Sequence, residues 1–183
     1  NMLKATTLER KFPLLAVENG CIISKDADIT VAFRVELPEL FTVTSAEYEA
    51  IHSAWYKAIK VLPDYSIVHK QDWFVKENYA PDLQNSDMSF LSRSYERHFN
   101  ERPYLHHQCY LFLTKTSKER MAHQSNFSTL CRGHIIPKEI KDKETVARFL
   151  DAVEQFARII NDSGYISLRR LTDEEITGTE RTT

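Results

Sequence analysis

Tyr104-Leu105-His106-His107-Gln108-Cys109-Tyr110-Leu111-Phe112-Leu113-Thr114-Lys115 is the stretch on which the fold turns. Side chains alternate along an extended chain, so Leu105, Cys109, Leu111 and Leu113 share one side while Tyr104, Tyr110 and Phe112 occupy the other. Both sides need cover. That predicts a central strand with a packed layer on at least one face rather than a solvated edge.

Upstream, Ile29, Val31, Phe33, Val35 and Leu37 alternate with Thr30, Ala32, Arg34 and Glu36, the clearest period-two signal in the chain. Before it, Leu14 to Val17 and Cys21 to Ser24 read as short strands joined at Glu18-Asn19-Gly20, where Gly20 can take positive φ. Pro38 closes this meander. Thr44 and Glu47 have capping-box spacing, and Tyr48, Ile51, Trp55, Ile59 and Leu62 form a helical stripe that Pro63 ends. Tyr65 to Lys76 is rich in β-branched and aromatic residues and predicts another strand, interrupted by polar His69, Lys70, Gln71 and Asp72.

Leu91, Tyr95 and Phe99 predict a helix from about Met88 to Glu101, and Pro103 feeds the Tyr104 to Lys115 strand. Ser117 to Gly133 reads as a polar loop. Beyond Pro137 comes a long helical segment striped by Val146, Phe149, Leu150, Val153, Phe156, Ala157 and Ile160, with Gly164 placed to cap it. Tyr165 to Leu171 predicts a last strand, and Thr172 with Glu175 a capped turn. The order specifies an α+β fold: a largely antiparallel sheet with helices packed on one face, with a ferredoxin-like (split βαβ) core as the candidate topology.

At 183 residues and a formal net charge of -2, the chain fits one well-buried domain and carries no basic field for nucleic acid or an anionic membrane. Three scattered cysteines, Cys21, Cys109 and Cys131, give no disulfide framework and suit a reducing compartment. No apolar run approaches the roughly 18 residues of a bilayer span, and no secretory leader opens the sequence, so a cytoplasmic location is expected. The polar stretch Thr177 to Thr183 has no packing stripe and reads as a boundary within a longer protein.

Tests for chemistry come back mostly negative. Gly20, Gly133, Gly164 and Gly178 are dispersed, and no Gly-x-x-x-x-Gly-Lys-Ser/Thr loop exists to cradle phosphates. His106 and His107 point to opposite faces of a strand, so with His98 and Cys109 they make an incomplete metal set. Cys109 in an apolar strand reads as an inert core thiol. Arg93, Arg97 and Arg102, on or just after the second helix, are candidate contacts for an anion or a partner's carboxylates, diluted by Glu96 and Glu101.

Several blocks, taken together and in order, carry a family resemblance. They are Lys11-Phe12-Pro13, Cys21-Ile22-Ile23-Ser24-Lys25, Leu37-Pro38-Glu39-Leu40-Phe41, Ala58-Ile59-Lys60-Val61-Leu62-Pro63, His69-Lys70-Gln71-Asp72-Trp73-Phe74, Ser89-Phe90-Leu91-Ser92-Arg93-Ser94, Phe99-Asn100-Glu101-Arg102-Pro103, and Phe156-Ala157-Arg158-Ile159-Ile160-Asn161-Asp162-Ser163-Gly164. Across nearly the whole chain this resembles the N-terminal region of the TraG family of conjugative transposon ATPases from Bacteroides-type bacteria, which look like the VirB-class motors of type IV secretion.

The resemblance implies residues 1–171 as an N-terminal accessory domain and residues 172–183 as the start of a linker towards a RecA-like motor. It implies no catalytic, cofactor or metal residue in this stretch, ATP and Mg²⁺ belonging to the motor alone. The implied partners are inner-membrane secretion subunits and other copies of the ATPase, with the domain held peripherally at the inner membrane through them. The competing expectation is a stand-alone enzyme or small-ligand domain using the His69 strand with His106 or His107. Direct DNA contact through Arg93, Arg97 and Arg102 is the weakest reading, given the net charge.

Overall fold

The computed structural model describes residues 13–25, 28–39, 42–77, 103–116 and 143–179. Its strands are β1 (Leu14–Glu18), β2 (Cys21–Ser24), β3 (Ile29–Glu36), β4 (Ser66–Glu77), β5 (Tyr104–Lys115) and β6 (Ser167–Arg170). The helices among these residues are α1 (Ser45–Lys60), α2 (Lys143–Asp162) and α3 (Asp173–Thr177). The expected helix over Met88 to Glu101 and the loop over Ser117 to Gly133 lie outside the described residues.

The six strands form one antiparallel sheet in the order β1-β2-β3-β5-β4, with β6 also paired to β3. β2 pairs with Ile29 to Val31 and β6 with Phe33 to Glu36, so the two take successive halves of β3. On the other side of β3, Thr30 meets Thr114 and Arg34 meets Tyr110, a register that runs antiparallel along β5. The spatial order β6-β3-β5-β4 for a chain running β3-α1-β4-β5-α2-β6 is a ferredoxin-like split βαβ core, with the β1–β2 hairpin added to it. Asn19 (φ 54) and Gly20 (φ 69) form the two-residue turn of that hairpin, whose left-handed pair matches strand twist.

The core lies between the Phe33 face of the sheet and the helices. Val31, Phe33, Val35, Leu111, Leu113 and Leu168 are buried from the strands, and Phe149, Val153, Phe156 and Ile160 from α2. Both α1 and α3 begin with complete capping boxes, Thr44 with Glu47 and Thr172 with Glu175. The inner face of α1 differs from the expected stripe. Ala54 and Ala58 are buried, Ile51 and Trp55 half-buried, while Tyr48 and Ile59 stand in solvent. Small alanines let α1 approach α2 closely, with Trp55 edge-on to Phe156 at 5.8 Å between ring centroids; the large side chains at Tyr48 and Ile59 turn outward instead. Leu105, expected on the buried side of β5, is likewise exposed.

Residues Thr172 to Thr179, within the stretch that the resemblance takes as the start of a linker, begin with the expected capped turn and lie against the hairpin. The Asp173 carboxylate accepts from the backbone N–H of Asn19 at 2.9 Å and of Gly20 at 2.5 Å. Arg170 lies over the same turn, donating to Asn19 O at 3.0 Å; a Cβ at Gly20 would meet its Nε at 3.0 Å. Gly178 (φ 78) closes α3 in the left-handed conformation that favours glycine.

The rotated face of α1 gives a paired expectation. Phe156→Ala should cost about 3–5 kcal/mol through cavity formation, whereas Tyr48→Ser should stay within about 0.5 kcal/mol. Urea unfolding of both variants measures it; a large loss at Tyr48 would restore the stripe expected from sequence.

Candidate interaction surface

Chain contacts divide the protein into one unit of Asn1–Lys70 with Tyr110–Thr183 and another of Gln71–Cys109. The described part of the second consists of the C-terminal half of β4 and the N-terminal half of β5. Side chains that a sheet would ordinarily bury stand exposed there: Leu105 at 66%, Phe74 at 63%, Trp73 at 51%, Tyr104 at 46% and Val75 at 39%. Isolated exposed apolar residues need no explanation, but five large ones on two adjacent strand segments do.

Polar contacts hold this surface in shape. His107 Nε2 lies 2.8 Å from Asp72 Oδ1, and the Phe74 ring stacks on the imidazole at 4.7 Å between centroids with planes 14° apart. The cross-strand trio thus fixes Phe74 through His107, and His107 through Asp72. The His107 and Asp72 side chains remain 37% and 32% exposed, so the pair sits in high dielectric and in reach of solvent. Tyr104 donates its hydroxyl to Glu77 at 3.2 Å, and this bond raises the phenol pKa because it exists only while the proton is kept.

In the first unit, the sheet side opposite Phe33 is polar and aromatic. The Arg34 guanidinium donates to Tyr110 Oη at 3.0 Å and lies 5.2 Å from the centre of its ring. His69 tilts against Phe112 at 5.9 Å. Arg169 forks onto Glu175 with bonds of 3.0 and 2.9 Å, and Glu175 is almost buried. That guanidinium, then the Thr172 backbone N–H, holds the Glu175 carboxyl below its ordinary range.

Of the site residues expected from sequence, Arg93, Arg97 and Arg102 lie outside the described residues. His69 and His107 each find a partner, Phe112 for one and Asp72 with Phe74 for the other, and His106 is half-buried. Among the described residues no three His, Cys, Asp or Glu side chains gather closely enough to share a metal ion. Cys21 and Cys109 are buried free thiols, and burial raises the Cys21 pKa against the opposing pull of Arg170. Strand propensity alone makes Trp73, Phe74 and Val75 ordinary strand residues, and three successive apolar side chains beside a polar run are the only local trace of their exposure.

The strand order defines a ferredoxin-like α+β fold, and in the Gln71–Cys109 unit Phe74 and Leu105 are exposed on one strand face, Trp73, Val75 and Tyr104 on the other. A family model described as a domain of unknown function, B. Theta Gene description (DUF3875), matches residues 1–53. No curated protein matches the chain. Among the described residues no helix is long and apolar enough to cross a membrane.

Glu175 supplies a pH test. A carboxyl with a depressed folded-state pKa adds stability that is complete above its unfolded value of about 4.3 and lost as pH falls through the folded value. Glu175→Gln should therefore cost about 1–2 kcal/mol at neutral pH, and its difference from the parent should shrink as pH drops below about 4. Denaturant midpoints across pH measure this; a constant difference would contradict it.

Proposed function

We propose that the chain is a non-catalytic assembly and docking domain of a conjugation ATPase of the type IV secretion class, positioning the motor at the DNA-transfer channel. In this reading it lies on the cytoplasmic side, held at the inner membrane by partners rather than by its own insertion. Its nucleotide chemistry, with ATP and Mg²⁺, belongs to a motor domain further along the protein. Two lines support the reading: the ordered resemblance of its sequence blocks to the TraG N-terminal region, and the exposed Phe74 and Leu105 of β4 and β5.

The observation that carries docking is the exposure of Phe74 and Leu105, which share the His107 face of two neighbouring strands. Large rigid side chains concentrate binding energy when a partner desolvates them, and here the Asp72–His107–Phe74 contacts have already removed part of the ordering cost. Inner-membrane secretion subunits are the class of partner this reading assigns to the patch.

A second reading, a small-ligand or enzymatic domain, draws on the His107–Asp72 pair, since a carboxylate orienting an imidazole is a common element of general-base sites. The neighbouring Cys109 is buried at 2% exposure, which withholds the nearest thiol of that strand as a nucleophile. Docking is therefore the stronger of the two.

Phe74→Ala and Leu105→Ala should each weaken binding to an inner-membrane secretion subunit by about tenfold or more, with circular dichroism unchanged, while Trp73→Ala on the opposite face should change it by less than about threefold. Binding indifferent to both Phe74→Ala and Leu105→Ala would remove the docking role. A small-molecule activity lost in His107→Ala, with docking intact, would establish the second reading.

A further inference from the structure

Outside the 71–109 surface, the largest exposed apolar side chains on a single element belong to the outer face of α1. Tyr48 is 64% exposed, Tyr56 56% and Ile59 48%. With exposed His52 they follow one another at intervals of three and four, so the four share one side of the helix while Ala54 and Ala58 fill the other. Lys60 extends over Tyr56, its Nζ 4.3 Å from the ring centre. Tyrosine exposed in this way is costly to leave in water and typical of interface anchors.

Charge indicates what covers the face. Glu49 stands in the second turn and Lys60 in the last residue of the helix, about three turns apart and on the same flank of the Tyr48–Ile59 stripe. A parallel two-fold neighbour would put the Glu49–Lys60 flanks of the two copies on opposite sides of the seam, where neither charge meets a complementary partner. An antiparallel one sets Glu49 of each copy against Lys60 of the other, twice by symmetry, with Tyr48 against Ile59 and His52 against Tyr56 at the centre. Antiparallel helix dipoles add to the same preference, and a two-fold axis makes the arrangement self-complementary.

We infer that α1 is a self-association face, docking antiparallel on α1 of a second copy of this chain. The inference stands on α1 alone and is independent of the conjugation reading. One pair of four-turn helices is a small interface, at or below the roughly 1,200 Å² of weak specific complexes, so the dimer is concentration-dependent.

Sedimentation equilibrium of the purified chain over a concentration series tests it, with circular dichroism confirming that each variant folds. The parent should show a reversible monomer–dimer equilibrium. Glu49→Lys and Lys60→Glu should each weaken it by about tenfold, because two attractive pairs become repulsive. The double variant Glu49→Lys/Lys60→Glu should return to within about threefold of the parent, the reversed charges again meeting their opposites. Tyr56→Ser should weaken the dimer and leave the charge pairs intact. A parent that is monomeric at every concentration assigns the face to another occupant and overturns the inference. A dimer unaffected by the single reversals, or weakened further by the double one, overturns it equally.

Discussion

Burial of one side of α2 against the Phe33 face of the sheet is the constraint from which the other features follow. Phe149, Val153, Phe156 and Ile160 are at most 1% exposed, and so are Val31, Leu111 and Leu113 opposite them. These are the largest fully buried side chains among the described residues, and their removal from water drives the packing of sheet on helix. They also account for what is left uncovered. Along β5, Cys109, Leu111 and Leu113 are buried while Leu105 is exposed, and no residue of β4 is buried at all. Phe74 and Leu105, on one face of that strand pair, stay exposed.

The same constraint explains α1. Its contact with α2 runs through Trp55 and is made close by Ala54 and Ala58. Tyrosines at positions 48 and 56 cannot fit that approach and are directed outward, leaving two separate apolar surfaces on a small domain. One is fixed by the Asp72–His107–Phe74 trio and is proposed to meet secretion subunits; the other lies on α1 and is proposed to meet a second copy.

Much of the fold was legible in local sequence. The alternation from Ile29 to Val35, the capping boxes at Thr44 and Thr172 and the Asn19-Gly20 turn are each decided by neighbours in sequence, and each appears where expected. The α2 stripe from Phe149 to Ile160 was equally plain. What sequence could not convey was how far the cover extends. Period alone placed Tyr48, Ile59 and Leu105 on buried sides, yet their burial depends on which neighbour is near enough, and alanines at 54 and 58 rather than the larger residues set that approach. The His107–Asp72 pair was illegible for a related reason: it depends on the register between two strands 35 residues apart in sequence, and no local pattern fixes that register. The Asp173 anchor on the β1–β2 turn, at a separation of 154 residues, is a still longer case.

The central claim is that the Phe74–Leu105 surface of β4 and β5 works by being covered. Amide hydrogen exchange of the full chain, alone and with the inner-membrane secretion subunits added, tests it most directly. The account predicts slowed exchange at Asp72 to Glu77 and Tyr104 to His107 when the correct subunit is present. Unchanged exchange across both segments with every subunit, or protection that appears only elsewhere in the chain, would contradict it.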